Sequence, residues 1–447
     1  MKLVTWSTVA LAVGGALALG LGCSQHEDPV GSPTFSDTRP LSTSYGFTDQ
    51  LARNSLKDPD SRQIVVAWAS DEHPSTPQQP FPVLYLLHGY GGDASFFDQY
   101  GLQTLLDEMY SKGEIGRMMV VTVDASNRFG GSFYRNSGST GDYADVIDEL
   151  MRVTETPVGE QWRFYTAGGR NARAISGHGM GGYGAMRYAL DHPGLFASVS
   201  SMSGPLSLGD PDQKTGVWKE SDGLIARVFA EDGINPPDAE TYAKVFAGAD
   251  RPQTRLYLAM AAAFSPYPLR RFDSVGHYVF CRPYFGCRVK DTVYPWDFFS
   301  SITPGPLTLE FPGADTNGVG VDMLFDSTGT ISRSSWARWS DSADVKYAFL
   351  QKRQTSPPFF SGLFNSQDTN VYIDVGDQDE YGYLEQNREF DSVLTNAGVA
   401  HQYTEYSGFP GLPAGHAQLV ATRLRQIIKF HSDLFDKYHG RPPAPPQ

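Results

Sequence analysis

Apolar positions along the chain come in short bursts separated by polar runs, and their order is more informative than any one of them. Gln63 to Ala69 is a β-rich stretch. Phe81-Pro82-Val83-Leu84-Tyr85-Leu86-Leu87 is nearly unbroken and stops at His88-Gly89-Tyr90-Gly91-Gly92, as a strand buried on both faces would. A helical pattern follows from Phe96 to Tyr110, then a strand at Met118 to Val123 and a helix from Tyr143 to about Val153. A further strand, Ala172 to Ser176, leads into a helix ending near His192-Pro193-Gly194, and Phe196 to Met202 is the next strand. This alternation of strand and helix predicts an α/β fold with a mostly parallel central sheet and helices on both faces.

The rhythm stops between about Pro205 and Thr369, a stretch rich in Pro, Gly and aromatics that reads as a large cap-like insertion. Its aromatics, among them Trp296, Phe298, Phe299, Trp336, Trp339, Phe359 and Phe360, are read as core rather than as a ligand platform. Alternation resumes with a strand at Val371 to Val375, a helix from Glu385 to Asn396, a strand at Gln402 to Tyr406 and a helix from Gln418 to Tyr438. The expected organisation is therefore one α/β domain in two pieces, 57–204 and 370–440, around an insertion at 205–369, with a proline-rich disordered tail at 441–447.

At the other end, Lys2, an apolar run from Val9 to Gly22 and then Cys23 have the layout of a secretion signal over residues 1–22. Leu19-Gly20-Leu21-Gly22-Cys23 is similar to a bacterial lipoprotein cleavage site, which would make Cys23 the lipid-bearing residue; plain secretion is the alternative. Residues 23–56, polar and dotted with proline, are read as a flexible tether. An exported chain meets an oxidising compartment, so Cys281 and Cys287 are expected to form a disulfide. A zinc site at these cysteines lacks nearby ligands, and no metal or other cofactor is expected. The formal charge of −14 disfavours nucleic acid or an anionic membrane as partner, leaving membrane attachment only through the lipid.

The chemistry gathers at three places. Gly177-His178-Gly179-Met180-Gly181-Gly182 occupies a strand-to-helix turn in the pattern Gly-x-Ser-x-Gly, whose middle residue is a nucleophilic serine. Here that residue is Gly179. Asp379, in Gly376-Asp377-Gln378-Asp379, follows a strand and is the candidate acid, with Asp377 its competitor; His416, in Gly415-His416, follows the last strand. Backbone N–H groups of Tyr90 and Met180 are the candidate oxyanion donors. The same glycines also satisfy a dinucleotide-binding pattern, Gly177-x-Gly179-x-x-Gly182, but the next strand ends Ser200-Ser201-Met202-Ser203-Gly204 without the acid such a site needs.

These motifs, with Phe133-Tyr134-Arg135-Asn136-Ser137 and Tyr143-Ala144-Asp145-Val146-Ile147, resemble the esterase D-like family of α/β-hydrolases. That family includes formylglutathione hydrolases, feruloyl esterases and antigen 85 mycolyltransferases. The resemblance runs from about Arg62 to Gly204 and from Asn370 to Leu434. It implies a carboxylic-ester hydrolase scaffold with the nucleophile position at Gly179 and Asp379 and His416 as its partners. Ser176 lies three residues before the turn and is not a replacement. Three readings follow: a non-catalytic binder of a small-molecule ester or acylated glycan, hydrolysis by a water that His416 activates, or an ordinary esterase in which serine is native at 179.

Overall fold

The computed structural model describes residues 42–46, 61–70, 75–127, 129–137, 140–155, 165–210, 214–232, 251–267, 270–272, 278–282, 286–289, 320–321, 324, 333–355, 362–365, 368–410 and 413–439. An eight-stranded sheet is built from β1 (Ser42–Gly46), β2 (Ser61–Ala69), β3 (Val83–Leu87), β4 (Met118–Val123), β5 (Arg173–Gly177), β6 (Ser198–Met202), β7 (Val371–Gly376) and β8 (His401–Tyr406). Their spatial order is β1-β2-β4-β3-β5-β6-β7-β8. The pairs from β4 through β8 are parallel, and β2 runs antiparallel to both β1 and β4. This is the mostly parallel sheet of the α/β-hydrolase fold.

Pleating decides which side chains face which layer. Val83, Tyr85 and Leu87 of β3 join one apolar cluster, whereas Leu84 and Leu86 join the other. The second cluster packs under α1 (Leu102–Ser111) and, at the far end of the chain, the last helix, Val420–His439. The first packs under α2 (Tyr143–Glu155) and α3 (Met180–Asp191). It also takes in α4 (Leu224–Asp232), α5 (Pro252–Phe264), α6 (Arg333–Ala343), α7 (Val345–Thr355) and α8 (Tyr383–Asn396); the Val420–His439 helix is α9. Four of these helices, α4 to α7, come from the stretch read as a cap-like insertion, and their apolar faces share one core with the sheet. Trp339 is fully buried in that core and Trp336 packs against it.

Several boundaries differ from the expected ones. The helical pattern from Phe96 is interrupted at Gly101, whose φ of 70° breaks the run into a 3₁₀ turn, Asp98–Tyr100, and α1. Leu419, at φ 57°, delays the start of α9 to Val420. Ser42–Gly46, inside the stretch read as a tether, forms the edge strand β1. Cys281 and Cys287 stand opposite each other in register on the antiparallel strands Tyr278–Arg282 and Gly286–Val289. Their side chains, like Cys23, residues 1–22 and the tail at 441–447, lie outside the described residues.

The crossing of β5 into α3 is built from backbone against backbone. A β-carbon on Gly177 would strike the backbone of Gly181, and one on Gly181 would strike the carbonyl of Leu87 at the end of β3. Both positions exclude any side chain. Behind this crossing, His431 of α9 sits between Ser198 and Ser200 of β6, with Nδ1 2.7 Å from Ser198 Oγ and Nε2 2.8 Å from Ser200 Oγ. Ser200 Oγ donates in turn to Ser176 Oγ at 2.6 Å. Ser176 is thus wholly buried in the sheet and already hydrogen-bonded.

Two expectations follow. Gly181→Ala should cost about 3 kcal/mol or more by overpacking, whereas Gly194→Ala, with open space around its β-carbon, should stay within about 0.5 kcal/mol; urea unfolding measures both. Burial holds His431 neutral, its pKa pushed down from 6.5 to about 3. As pH falls from 6.5 towards 3 the unfolded chain takes up a proton that the folded chain refuses. His431 should therefore remove about 1.4 kcal/mol of stability per pH unit, and His431→Gln should flatten the pH dependence of the urea midpoint while lowering stability at pH 7.

Candidate functional site

The site lies at the carboxyl ends of β3, β5, β7 and β8, where the crevice of a parallel sheet opens. At the end of β5, the N–H of Gly179 donates to Met202 O at 2.8 Å, and the chain turns into α3 through Gly179 alone, at φ 53° and ψ −114°. An L-residue seldom adopts such angles, so glycine holds the turn with less strain than serine would. Met180 opens α3, and its N–H is among the four that a helix leaves without an intrahelical acceptor.

The second wall is the loop after β3. Inside it, the ring of buried His88 hydrogen-bonds at both nitrogens. Nδ1–H donates to Gly89 O at 2.8 Å, and Nε2 accepts the N–H of Ala125 at 2.8 Å, which fixes the neutral tautomer. The loop's own backbone bonds use the N–H groups of Gly91, to Gly130 O, and Gly92, to Gly89 O, and not that of Tyr90. The Tyr90 hydroxyl donates to Phe129 O at 2.7 Å, tying this loop to the one after β4. The two sequence-derived oxyanion donors therefore sit on the loop after β3 and on the first residue of α3, at adjacent strand ends.

His416 is held at every polar atom but one. Its N–H donates to Glu380 Oε2 at 2.8 Å, and its carbonyl accepts His178 Nε2–H at 2.9 Å and Arg423 Nη1–H at 3.3 Å. Nδ1–H donates to Asp379 Oδ2 at 3.0 Å. The remaining atom, Nε2, makes no hydrogen bond to a described residue and points at Gly179: it lies 2.7 Å from where a β-carbon on that residue would stand. Gly179, His416 and Asp379 are thus brought together. Asp377, the competing acid, donates its N–H to Tyr406 O and places no carboxylate oxygen on His416.

Several neighbours of the site carry no motif. Glu380 was invisible as a backbone partner, although it directly follows Asp379. Arg423, fully buried, donates from Nε to Asp374 Oδ1 at 2.9 Å and from Nη2 to Ser203 Oγ at 2.8 Å while it grips His416 O. An arginine on the apolar face of α9 was its only sequence signal. Arg227 of α4 donates to the carbonyls of Glu380 and Tyr381 at 3.2 and 3.1 Å, so the inserted stretch supports the acid-bearing loop. His178, inside the elbow, is enclosed, and its pKa is driven well below the ordinary value by burial first and then by its electrostatic neighbours His416 and Arg423. It stays neutral and serves as a donor.

Chemically, this arrangement presents an imidazole of fixed tautomer whose lone pair is directed into the corner between two strand ends. Among the described residues no group of three or more His, Cys, Asp or Glu side chains is placed to hold a metal ion. The dinucleotide-like glycines have packing reasons: Gly177 clears α3, and a β-carbon on Gly182 would meet Ser201 Oγ at 2.6 Å.

Two curated proteins of Mycobacterium tuberculosis, Esterase MT1326 from strain CDC 1551 / Oshkosh and Esterase Rv1288 from strain ATCC 25618 / H37Rv, are each 28% identical over 216 residues. The match covers 45% of this chain and 42% of each relative, so the chain spans less than half the length of these curated relatives. Among solved structures, a ferulic acid esterase is similar at 17% identity and a TM-score of 0.43, covering 88% of this chain and 98% of its own. The S-formylglutathione hydrolase FrmB of Staphylococcus aureus is similar at 14% identity and a TM-score of 0.43, with the same coverage. The model of the family described as "Putative esterase" matches residues 71–422, well over half of the chain, and the chain belongs to that family.

Proposed function

We propose that this chain is an exported, ester-binding member of the family that lacks serine-based turnover. The observation that carries the reading is Gly179. It stands at the elbow with its missing β-carbon directed at His416 Nε2, while the loops, the Asp379–His416 bond and the start of α3 are all in place around it. Asp379 and His416 are assigned as the remaining pair and the amides of Tyr90 and Met180 as the groups that polarise a bound carbonyl. Without a hydroxyl at 179 no acyl-serine can form, and loss of that group costs on the order of a million-fold in the best-characterised serine protease. The ligand class is a small-molecule ester or an acylated glycan. Export, with Cys23 lipidated or the chain secreted, goes with this reading, and the register of Cys281 against Cys287 supports a bridge in an oxidising compartment.

Water attack in the serine's place fits the geometry less well. Adding a Cα–Cβ bond of about 1.5 Å to the 2.7 Å gap puts Nε2 within about 4.2 Å of the Gly179 Cα. No water fits in line between the two; one acting here would stand to the side of the serine's position.

A fluorophosphonate probe should label no serine of the protein, and labelling that disappears in Ser176→Ala would overturn the claim that no activated serine remains. Gly179→Ser should acquire labelling and hydrolyse p-nitrophenyl acetate at least about 100-fold faster than the parent. In that background Asp379→Asn should lower turnover by up to about 10⁴-fold, whereas Asp377→Asn should not. A folded Gly179→Ser protein that stays inert would sink the assignment of Asp379 and His416.

A further inference from the structure

Resting on that reading of the site, we infer that His416 is itself an acyl acceptor: its Nε2 takes the acyl group from esters with acidic leaving groups, namely aryl esters and thioesters. Three features of the ring lead to this. Nδ1–H is committed to Asp379 Oδ2, so Nε2 carries the lone pair. Nε2 has no hydrogen-bond partner among the described residues, and the His416 side chain keeps 8% exposure. Finally, it stands in volume that a serine side chain would need, 2.7 Å from the place of the absent β-carbon, nearer than real β-carbon contacts come. The position normally held by the attacking oxygen is thus approached by a nitrogen nucleophile, a role that histidine's chemistry permits.

Ser176, Ser203 and His178 offer no competing nucleophile, and Ser201 Oγ, although unpartnered, is fully buried on β6. Ser176 is buried in the sheet beneath Ser200, Ser203 Oγ accepts from Arg423, and the free nitrogen of His178, Nδ1, is sealed from solvent. The rings of Tyr381 and Tyr383 stand edge-on to His416, with centroids 4.9 and 5.4 Å away, and the His178 ring lies 4.6 Å away. These rings hold the imidazole plane.

In the acyl-transfer step the Nε2 lone pair forms a bond to the carbonyl carbon. The resulting oxyanion collapses, the C–O or C–S bond breaks, and the phenolate or thiolate leaves with the electron pair. The product is a cationic acyl-imidazolium whose Nδ1–H remains on the Asp379 carboxylate, which stabilises the charge. Water then adds to the acyl carbon and the C–N bond breaks, returning its pair to Nε2. The carboxylic acid leaves and one proton passes to solvent. The leaving group must be acidic because the imidazole has spent its lone pair on carbon and holds no proton to give. An alkoxide would need that proton, whereas a thiolate or nitrophenolate departs without it.

The test is stopped-flow acylation by p-nitrophenyl acetate, followed by acid quench, intact mass and peptide mapping, with calorimetric binding of the corresponding unreactive aryl ketone measured alongside. The expected result is a burst of about one equivalent of nitrophenolate, one acetyl group mapped to His416, and no burst from ethyl acetate or from His416→Gln. In Gly179→Ser the acetyl group should move to the new hydroxyl. An adduct on any other residue, or a burst that persists in His416→Gln, would overturn the inference. Ketone binding without acylation in the unmodified protein would also overturn it while leaving the binding function standing; loss of both would remove that function too.

Discussion

Everything at this site depends on how closely α3 is drawn beneath the ends of β3 and β5. Because Gly177 and Gly181 carry no side chains, backbone meets backbone at the crossing, with the Leu87 carbonyl against the first turn of α3. Little chain remains for the turn, so a single residue makes it, at a φ of 53° that an L-residue holds only with strain of order 1–3 kcal/mol. The same closeness brings the first amides of α3 beside the loop after β3. The sharp turn and the nearness of those amides to the loop are consequently one structural fact. Glycine at 179 is the conformationally relaxed occupant of a turn whose shape its neighbours dictate, so it costs the fold nothing there.

Asp379 and His416 are also held in place by work unrelated to chemistry. The His416 carbonyl terminates hydrogen bonds from His178 and Arg423, and Arg423 belongs to a fully buried ion pair with Asp374. Removing one member of such a pair typically costs about 3–5 kcal/mol. Asp379 shapes its own turn as well, through Oδ1 accepting the N–H of Tyr381 at 3.0 Å. Arg227 then fastens that turn to α4. Stability alone therefore preserves the geometry of the acid and the imidazole, and their placement is by itself no measure of turnover.

Legibility in the sequence followed the same division. Strands buried on both faces, such as β3 and β4, announce themselves as apolar runs, and the order of β5, β7 and β8 with their loops was enough to bring Gly179, Asp379 and His416 to one corner. The inserted stretch was opaque for a physical reason. Helix α5 is buried from Leu256 through Phe264, so it has no polar stripe and hence no helical period to read. Leu419 and Gly101 moved helix starts through backbone angles that composition does not encode. Glu380 acts on a backbone N–H and Arg227 on backbone carbonyls, and such contacts leave no motif. The choice between Asp379 and Asp377 needed coordinates, because a two-residue shift at a strand end changes which carboxylate reaches the ring.

The position of the imidazole bears on what kind of chemistry a glycine elbow permits. In a serine enzyme the histidine relays one proton: it takes the proton from the hydroxyl and returns it to the leaving group. With Nε2 standing 2.7 Å from the place of the missing β-carbon, there is neither a hydroxyl to supply that proton nor room in line for a water to supply it. The ring then has a lone pair and no relay. Chemistry that uses the lone pair directly has its scope set by the leaving group's own acidity, because the ring then holds no proton to return. Restoring a side chain at 179 requires the ring to retreat against Asp379, Tyr381 and Tyr383, so the two arrangements are alternatives: a nitrogen held forward over glycine, or a nitrogen drawn back behind an oxygen.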